Sequence, residues 1–362
     1  MIAWRVVSPG RKGATPLEFT PCLDRSVTGG GVQVVTLGHR LLDDYLAFVA
    51  ARARAGTWLA VAYDLKVFFE VVGKEPTAVT RADVFAFLAA QRAPRKGDTV
   101  VRLEDGEPGL AARTIARRLS SVSGLFGYLA AREDSGVRAN PVPKGLASRR
   151  PGRRGRGGMP LARTPRTLPR ILAPTEVDAL LAALRTARDR AMVLAMLLGG
   201  LRRCEVLGLR LADVSAGERG LFVAEGKGGR QRIAPVSARF FTALGDYLDH
   251  ERPAGAGTGK VFVALKGPRR GQPLTAAGLD EILDGARARA GLARATCHML
   301  RHTCFTGLRE ARMALEAIQA RAGHASIEST RIYRTWLMAG WRRSPCGWPR
   351  PSTRRPTRPE RR

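Results

Sequence analysis

HMLRHTCFTGLRE, residues 298–310, sets His298, Arg301 and His302 at i, i+3 and i+4, so on a helix they share one face. Leu300, Phe305 and Leu308 fill other positions and give the helix apolar surface to bury. Two histidines at i, i+4 can hold a metal. No carboxylate stands at a fitting spacing, however, and Arg301 would repel a cation. An anion is the better guest, because a guanidinium fork matches two phosphate oxygens. The competing reading is a histidine pair that packs the helix beside a surface arginine.

Upstream, GGLRRCEVLGLRLADV (199–214) follows an apolar helix that runs to Leu198. Gly199-Gly200 breaks that helix, Arg202 sits at the break and Glu205 follows three residues later. A glycine break before a helix exposes backbone N–H groups and a side chain to an anion. An arginine on an ordinary helix-turn-helix fits the segment as well. LFVAE (221–225) and RQRIAPV (230–236) read as a strand pair joined by a glycine-rich turn that carries Lys227. Such a lysine is either a solvated turn residue or a proton donor reaching into a groove. Downstream, AGHASIESTRIYRTW (322–336) turns at Gly323-His324 into a helix carrying Tyr333. A tyrosine there is core filler, or a nucleophile.

Composition narrows the partner. The chain has 362 residues, 44% of them hydrophobic, which is enough for two domains with real cores. Its formal net charge is +30, and a charge of that size self-repels unless a polyanion neutralises it. Nucleic acid is the leading partner class and a membrane surface the weaker one. Aromatic residues are 6% of the chain, which disfavours a stacking platform for single strands and favours duplex DNA held by its phosphates. The first twenty residues lack the apolar core of a signal peptide, and the apolar run at 191–201 is too short to span a bilayer. Cys22, Cys204, Cys297, Cys304 and Cys346 form no CxxC pair, so reduced thiols in a cytoplasmic protein are expected.

Residues 1–35 read as an irregular extension. A helical domain is expected over 36–145, with helices at 41–53, 57–72, 80–92 and 114–133. The third begins with a Thr80/Asp83 capping pattern, and the fourth gathers Arg113, Arg117 and Arg118 near its N-terminal end. Residues 146–172 form a basic linker. Arg149, Arg150, Arg153, Arg154 and Arg156 stand there among Pro and Gly without an acidic residue, either seeking phosphates or merely solvated. A second domain is expected over 173–336, opening at Thr175 with Asp178 as its cap. Residues 337–362 are a basic, Pro/Arg-rich tail with no apolar period, expected to be disordered.

Two arginines, a lysine, histidines and a tyrosine make a phosphoryl-transfer set that needs no metal. The order G-L-R-x-x-E, G-K-G in a hairpin, H-x-x-R-H, then G-H followed by I-Y resembles the tyrosine recombinases, the phage integrase and Xer-like site-specific recombinases. The likeness covers about 175–336, and the T-I-A-R-R-L-S-S-V pattern with the closing N-P extends it to the helical block. The resemblance implies a mainly α fold with a small β-hairpin (α+β). A SAM-like core-binding domain and a catalytic domain would form a clamp on DNA. Arg202 and Arg301 would hold the scissile phosphate, with Lys227 as general acid. His298 and His324 would assist, Tyr333 would attack, and Glu205 and His302 would support. Arg113, Arg117, Arg118 and the linker arginines are the expected DNA contacts. No cofactor, metal or ATP is implied. The partners would be double-stranded DNA, a homotetramer with a dimer on each site, and accessory DNA-bending proteins. Localisation would be cytoplasmic, at the nucleoid, with a mobile element or prophage as the setting. The family's usual apolar helix after the tyrosine is absent from 337–362. Two readings compete: a type IB-like DNA topoisomerase, and a catalytically impaired DNA-binding relic.

Overall fold

The computed structural model describes residues 19–27, 33–53, 55–93, 109–143, 161, 169–224, 231–323, 330 and 333. The chain divides into two compact units, Met1–Arg166 and Thr167–Arg362.

The first unit is built on four helices, α1 (Arg40–Arg52), α2 (Ala55–Val72), α3 (Arg81–Arg92) and α4 (Ala112–Ala130). Each turns an apolar stripe inward. Leu42, Tyr45 and Leu46 of α1, Leu65, Phe68 and Phe69 of α2, and Ile115, Leu119, Val122, Leu125, Phe126 and Leu129 of α4 are all buried. Phe68 is the centre of this core, edge-on to Phe69, Phe87 and Phe126 at 5.1, 5.0 and 6.4 Å between ring centroids. Burying one such ring stabilises the fold by about 1.5–3 kcal/mol. The capping pattern forms as expected: the Thr80 N–H donates to Asp83 Oδ2 at 2.8 Å and the Asp83 N–H to Thr80 Oγ1 at 3.4 Å. After α4, Asn140 fastens the chain by donating to the Ser123 carbonyl at 2.9 Å.

The irregular reading of residues 1–35 needs correction. Within it, β1 (Asp24–Val27) pairs antiparallel with β2 (Gln33–Thr36), Asp24 opposite Thr36 and Val27 opposite Gln33. All four residues of β1 are exposed, so the strand carries no inside–outside alternation for a sequence reading to detect. Arg25 ties it to the helices by donating to the Tyr63 hydroxyl at 2.6 Å.

In the second unit, α5 (Pro174–Ala182) begins earlier and is capped differently from the Thr175/Asp178 expectation. Pro174 takes the first helical position, and the Glu176 carboxylate accepts the Ala173 N–H at 2.8 Å. Helix α6 (Ala187–Gly199) is buried on nearly every side, as expected of a central helix. After α7 (Arg203–Gly208) come β3 (Val214–Ser215), β4 (Gly220–Val223) and β5 (Arg232–Pro235), which form one antiparallel sheet in that order. The β4–β5 pair was expected, whereas β3 is two residues long and left no pattern. Helices α8 (Ala238–His250), α9 (Ala276–Arg289), α10 (Cys297–Glu310) and α11 (Leu315–Ala322) complete the unit, with α8 and α10 packed on α6. Of the helix expected to carry Tyr333, only Thr330 and Tyr333 are described, and both are helical and buried. The tail at 337–362 lies outside the described residues. No helix among them is long and apolar enough to cross a membrane.

Candidate active site

The site is organised by a break in the backbone. Helix α6 ends at Gly200, whose left-handed conformation (φ 65°) turns the chain. A Cβ at Gly200 would lie 2.5 Å from Phe305 Cζ, so both the conformation and the packing demand glycine. Two residues on, Arg202 is the N-cap of α7, and Glu205 reaches back to it. The Glu205 carboxylate accepts the Arg202 N–H at 2.8 Å and its Nη1 at 2.7 Å, fixing the residue at both ends.

Glu205 also gathers two further arginines. Arg232 of β5 straddles it, Nη1 to Oε1 at 3.0 Å and Nη2 to Oε2 at 2.7 Å. Arg301 Nη1 lies 3.8 Å from Oε2. Burial pushes the Glu205 carboxyl upward, but the hydrogen bonds and charge of Arg232 and the bonds from Arg202 outweigh it and hold its pKa at about 2. Three guanidiniums around one carboxylate leave excess positive charge, as an anion site requires.

Arg301 is 2% exposed. Its Nη1 donates to the Gly200 carbonyl and its Nη2 to the Ala322 carbonyl, while the guanidinium lies 4.8 Å from the Phe305 ring centroid. Burial first, then the neighbouring Arg202 charge, lowers its pKa to about 10, against the opposing pull of Glu205. It is cationic at neutral pH.

One helical turn of α10 links this cationic cluster to the tyrosine. His302 Nδ1 lies 3.0 Å from Tyr333 Oη, and the His302 ring stands edge-on to His298 at 4.5 Å between centroids. Tyr333 is 1% exposed, packed against Phe305 with Cys304, Leu308 and Ile318 in the same cluster. Burial pushes its phenol up to about 12, while the Arg301 and Arg202 charges pull it down. A cleft of about 640 Å³ opens over the cluster, lined by Arg202, Arg203, Asp280, His298 and Arg301 among others, and Tyr333 does not line it.

The structure therefore brings together Arg202, Glu205, His298, Arg301, His302 and Tyr333 by the contacts above. Lys227, His324, Arg149, Arg150, Arg153, Arg154 and Arg156 lie outside the described residues. In the first unit, Arg113 is exposed, but its two companions have partners within the fold. Arg117 donates to the buried Asp64 at 2.5 Å and Arg118 to Gln91. Two residues escaped the sequence reading. One is Arg232. The other is Arg321, whose Nη2 donates to the Leu198 and Pro235 carbonyls at 2.8 and 2.6 Å. Among the described residues no group of three or more His, Cys, Asp or Glu side chains is placed to hold a metal.

The family model described as "Phage integrase family" matches residues 170–339. The chain is 33% identical to tyrosine recombinase XerC of Roseiflexus castenholzii over 290 residues, covering 77% of this chain and 82% of the relative. It is 32% identical to tyrosine recombinase XerD of Mycobacterium tuberculosis over 265 residues, covering 69% and 76%. Among solved structures, the XerH site-specific recombinase bound to its palindromic difH substrate in a post-cleavage complex matches with a TM-score of 0.60. That match has 22% identity and covers 81% of this chain and 80% of that one. A lambda integrase dimer bound to a COC′ core site matches with a TM-score of 0.59 and 18% identity, covering 85% and 79%. The two structural likenesses concern the fold.

Proposed function

This chain belongs to the phage integrase family of tyrosine recombinases, and we propose that it cuts and rejoins duplex DNA through a covalent bond between Tyr333 and a scissile phosphate. The observation that carries the reading is the bonding of Arg202 to Glu205 beside a buried Arg301, whose neighbour in the chain, His302, bonds the Tyr333 hydroxyl.

Arg202 and Arg301 hold the non-bridging oxygens and neutralise the charge that builds on phosphorus. Tyr333 Oη attacks phosphorus as its proton passes to His302 Nδ1, 3.0 Å away, and the 5′ oxygen leaves, giving a 3′-phosphotyrosine and a free 5′-hydroxyl. Lys227 donates the proton to that leaving oxygen, and His298 and His324 hydrogen-bond the phosphate. The phosphodiester energy stays in the covalent link, so rejoining requires neither ATP nor a metal. Tyr333 does not line the cleft and its phenol titrates high, so it is a reserved nucleophile in the DNA-free chain. Engagement of DNA has to bring the hydroxyl to the phosphate.

The whole reaction is site-specific recombination. Two duplex sites, each carrying a dimer, exchange strands in a tetramer through a Holliday junction, in the cytoplasm at the nucleoid. The exposed Arg113 and the basic stretch at 149–156 supply contacts to the DNA backbone.

A suicide substrate with a nick beside the scissile phosphate tests the reading. Wild-type protein should trap a covalent protein–DNA adduct, Tyr333→Phe should abolish it, and Tyr128→Phe should retain it. An adduct that persists in Tyr333→Phe refutes the assignment. Exchange between two sites, as opposed to relaxation of one supercoiled circle, separates recombination from topoisomerase activity.

A further inference from the structure

Arg232 stands in RQRIAPV (230–236), which the sequence marks as a strand and nothing more. Arg232 sits in β5, two positions before the fully buried Ala234, so the strand's period of two turns its side chain inward. Its guanidinium donates once to each Glu205 oxygen and, through Nε, to the Arg321 carbonyl at 2.9 Å. Next along the chain, the Ala322 carbonyl receives Arg301 Nη2. A Cβ at Gly323 would stand 3.2 Å from Arg232 Nη1, so this guanidinium also packs beneath the end of α11.

Glu205 therefore faces three cations, of which two, Arg202 and Arg301, are needed elsewhere in the reading above. A carboxylate with unfilled lone pairs would draw the nearest guanidiniums onto itself. Arg202 Nη1 already bonds Oε1, and Arg301 Nη1 is 3.8 Å from Oε2. Arg232 fills one position on each oxygen.

We propose that Arg232 is a positioning residue for the cleavage step: by occupying Glu205 and the end of α11, it keeps Arg202 and Arg301 available to the scissile phosphate. The inference rests on the proposed function. Arg232 touches no DNA in this account. It acts through Glu205 and the end of α11, and only a planar fork reaches both carboxylate oxygens and the Arg321 carbonyl.

The test compares two linkages in single-turnover strand cleavage. One is an ordinary phosphodiester. The other is a methylphosphonate at the scissile position, which is uncharged and leaves the arginines no anionic charge to neutralise. Misplaced guanidiniums should slow Arg232→Gln by roughly 100-fold on the phosphodiester and by less than about tenfold on the methylphosphonate. Because both rates come from the same protein sample, their ratio does not depend on the folded fraction. Arg232→Lys, which keeps the charge but not the fork, should shift the ratio in the same direction by less. Equal slowing on both linkages reduces Arg232 to a purely structural residue, and no slowing on either removes it altogether; each result overturns the inference. Wild-type protein that forms the Tyr333 adduct while the variant ratio stays unshifted sinks this inference alone. Wild-type protein without the adduct sinks the proposed function with it.

Discussion

Replacing Glu205 with glutamine should weaken the second unit by an amount that changes with pH. Glutamine has the shape of a protonated glutamic acid, so the substitution mimics permanent protonation. The native carboxyl titrates at about 2 against an ordinary value of 4.5. That difference corresponds to about 3 kcal/mol in favour of the folded state at pH 7. A lowered pKa contributes stability above the unfolded value and loses it as pH falls through the folded one, so the window runs from 4.5 down to about 2. At pH 3 less than half of it should remain. Titrations of all other groups are common to both proteins and cancel in the difference. Hydrogen exchange at peptides from α6, α7 and α10, measured in rising urea, reports the opening free energy of this unit apart from the first. The expected result is a gap between wild type and Glu205→Gln that narrows by more than half between pH 7 and pH 3. A gap that is constant across that range, or below about 1 kcal/mol at pH 7, would refute the electrostatic account of the cluster.

Two further outcomes are expected. Gly200→Ala forces a side chain into φ 65° and against the Phe305 ring, at a cost of about 2–4 kcal/mol. Gly208→Ala meets nothing within 4 Å and serves as the neutral control, so equal melting temperatures for the two variants would contradict the packing argument. Changing Arg149, Arg150, Arg153, Arg154 and Arg156 together to alanine should weaken binding to duplexes of any sequence and flatten the salt dependence. An unchanged slope of log K against log salt would return the stretch to a solvated joint.

Much of this molecule was legible because its helices carry strong apolar stripes. The apolar period of 114–133 marked the helix that forms as α4, and the glycine pair at 199–200 marked the turn that presents Arg202. What failed to show were charges turned inward. Asp64 lies on α2 among Leu65, Phe68 and Phe69, and nothing nearby in sequence reveals that Arg117 and Ser121 reach it from α4 at 2.5 and 2.8 Å. With the bond from Arg118 to Gln91, the Arg117 contact is why two arginines expected to face DNA belong partly to the fold. In β5 the alternation is set by small and branched residues, Ala234 and Val236, which are buried, so Arg232 two positions before Ala234 shares their side while Ile233 is 63% exposed beside its cross-strand partner Phe222.

The same helix that carries the quoted histidines explains how phosphate and nucleophile can be coupled. Arg301 is anchored to the Gly200 and Ala322 carbonyls, so it is held to both the α6 break and the end of α11. The adjacent His302 bonds Tyr333 Oη, whose segment follows α11 directly in the chain. In the proposed reaction, a phosphate held by Arg301 would compete with those carbonyls, one of which lies at the end of α11. Burial raises the Tyr333 phenol, and the arginines that pull it back, Arg301 and Arg202, are the ones proposed to hold the phosphate. On that proposal, phosphate and tyrosine share one set of guanidiniums.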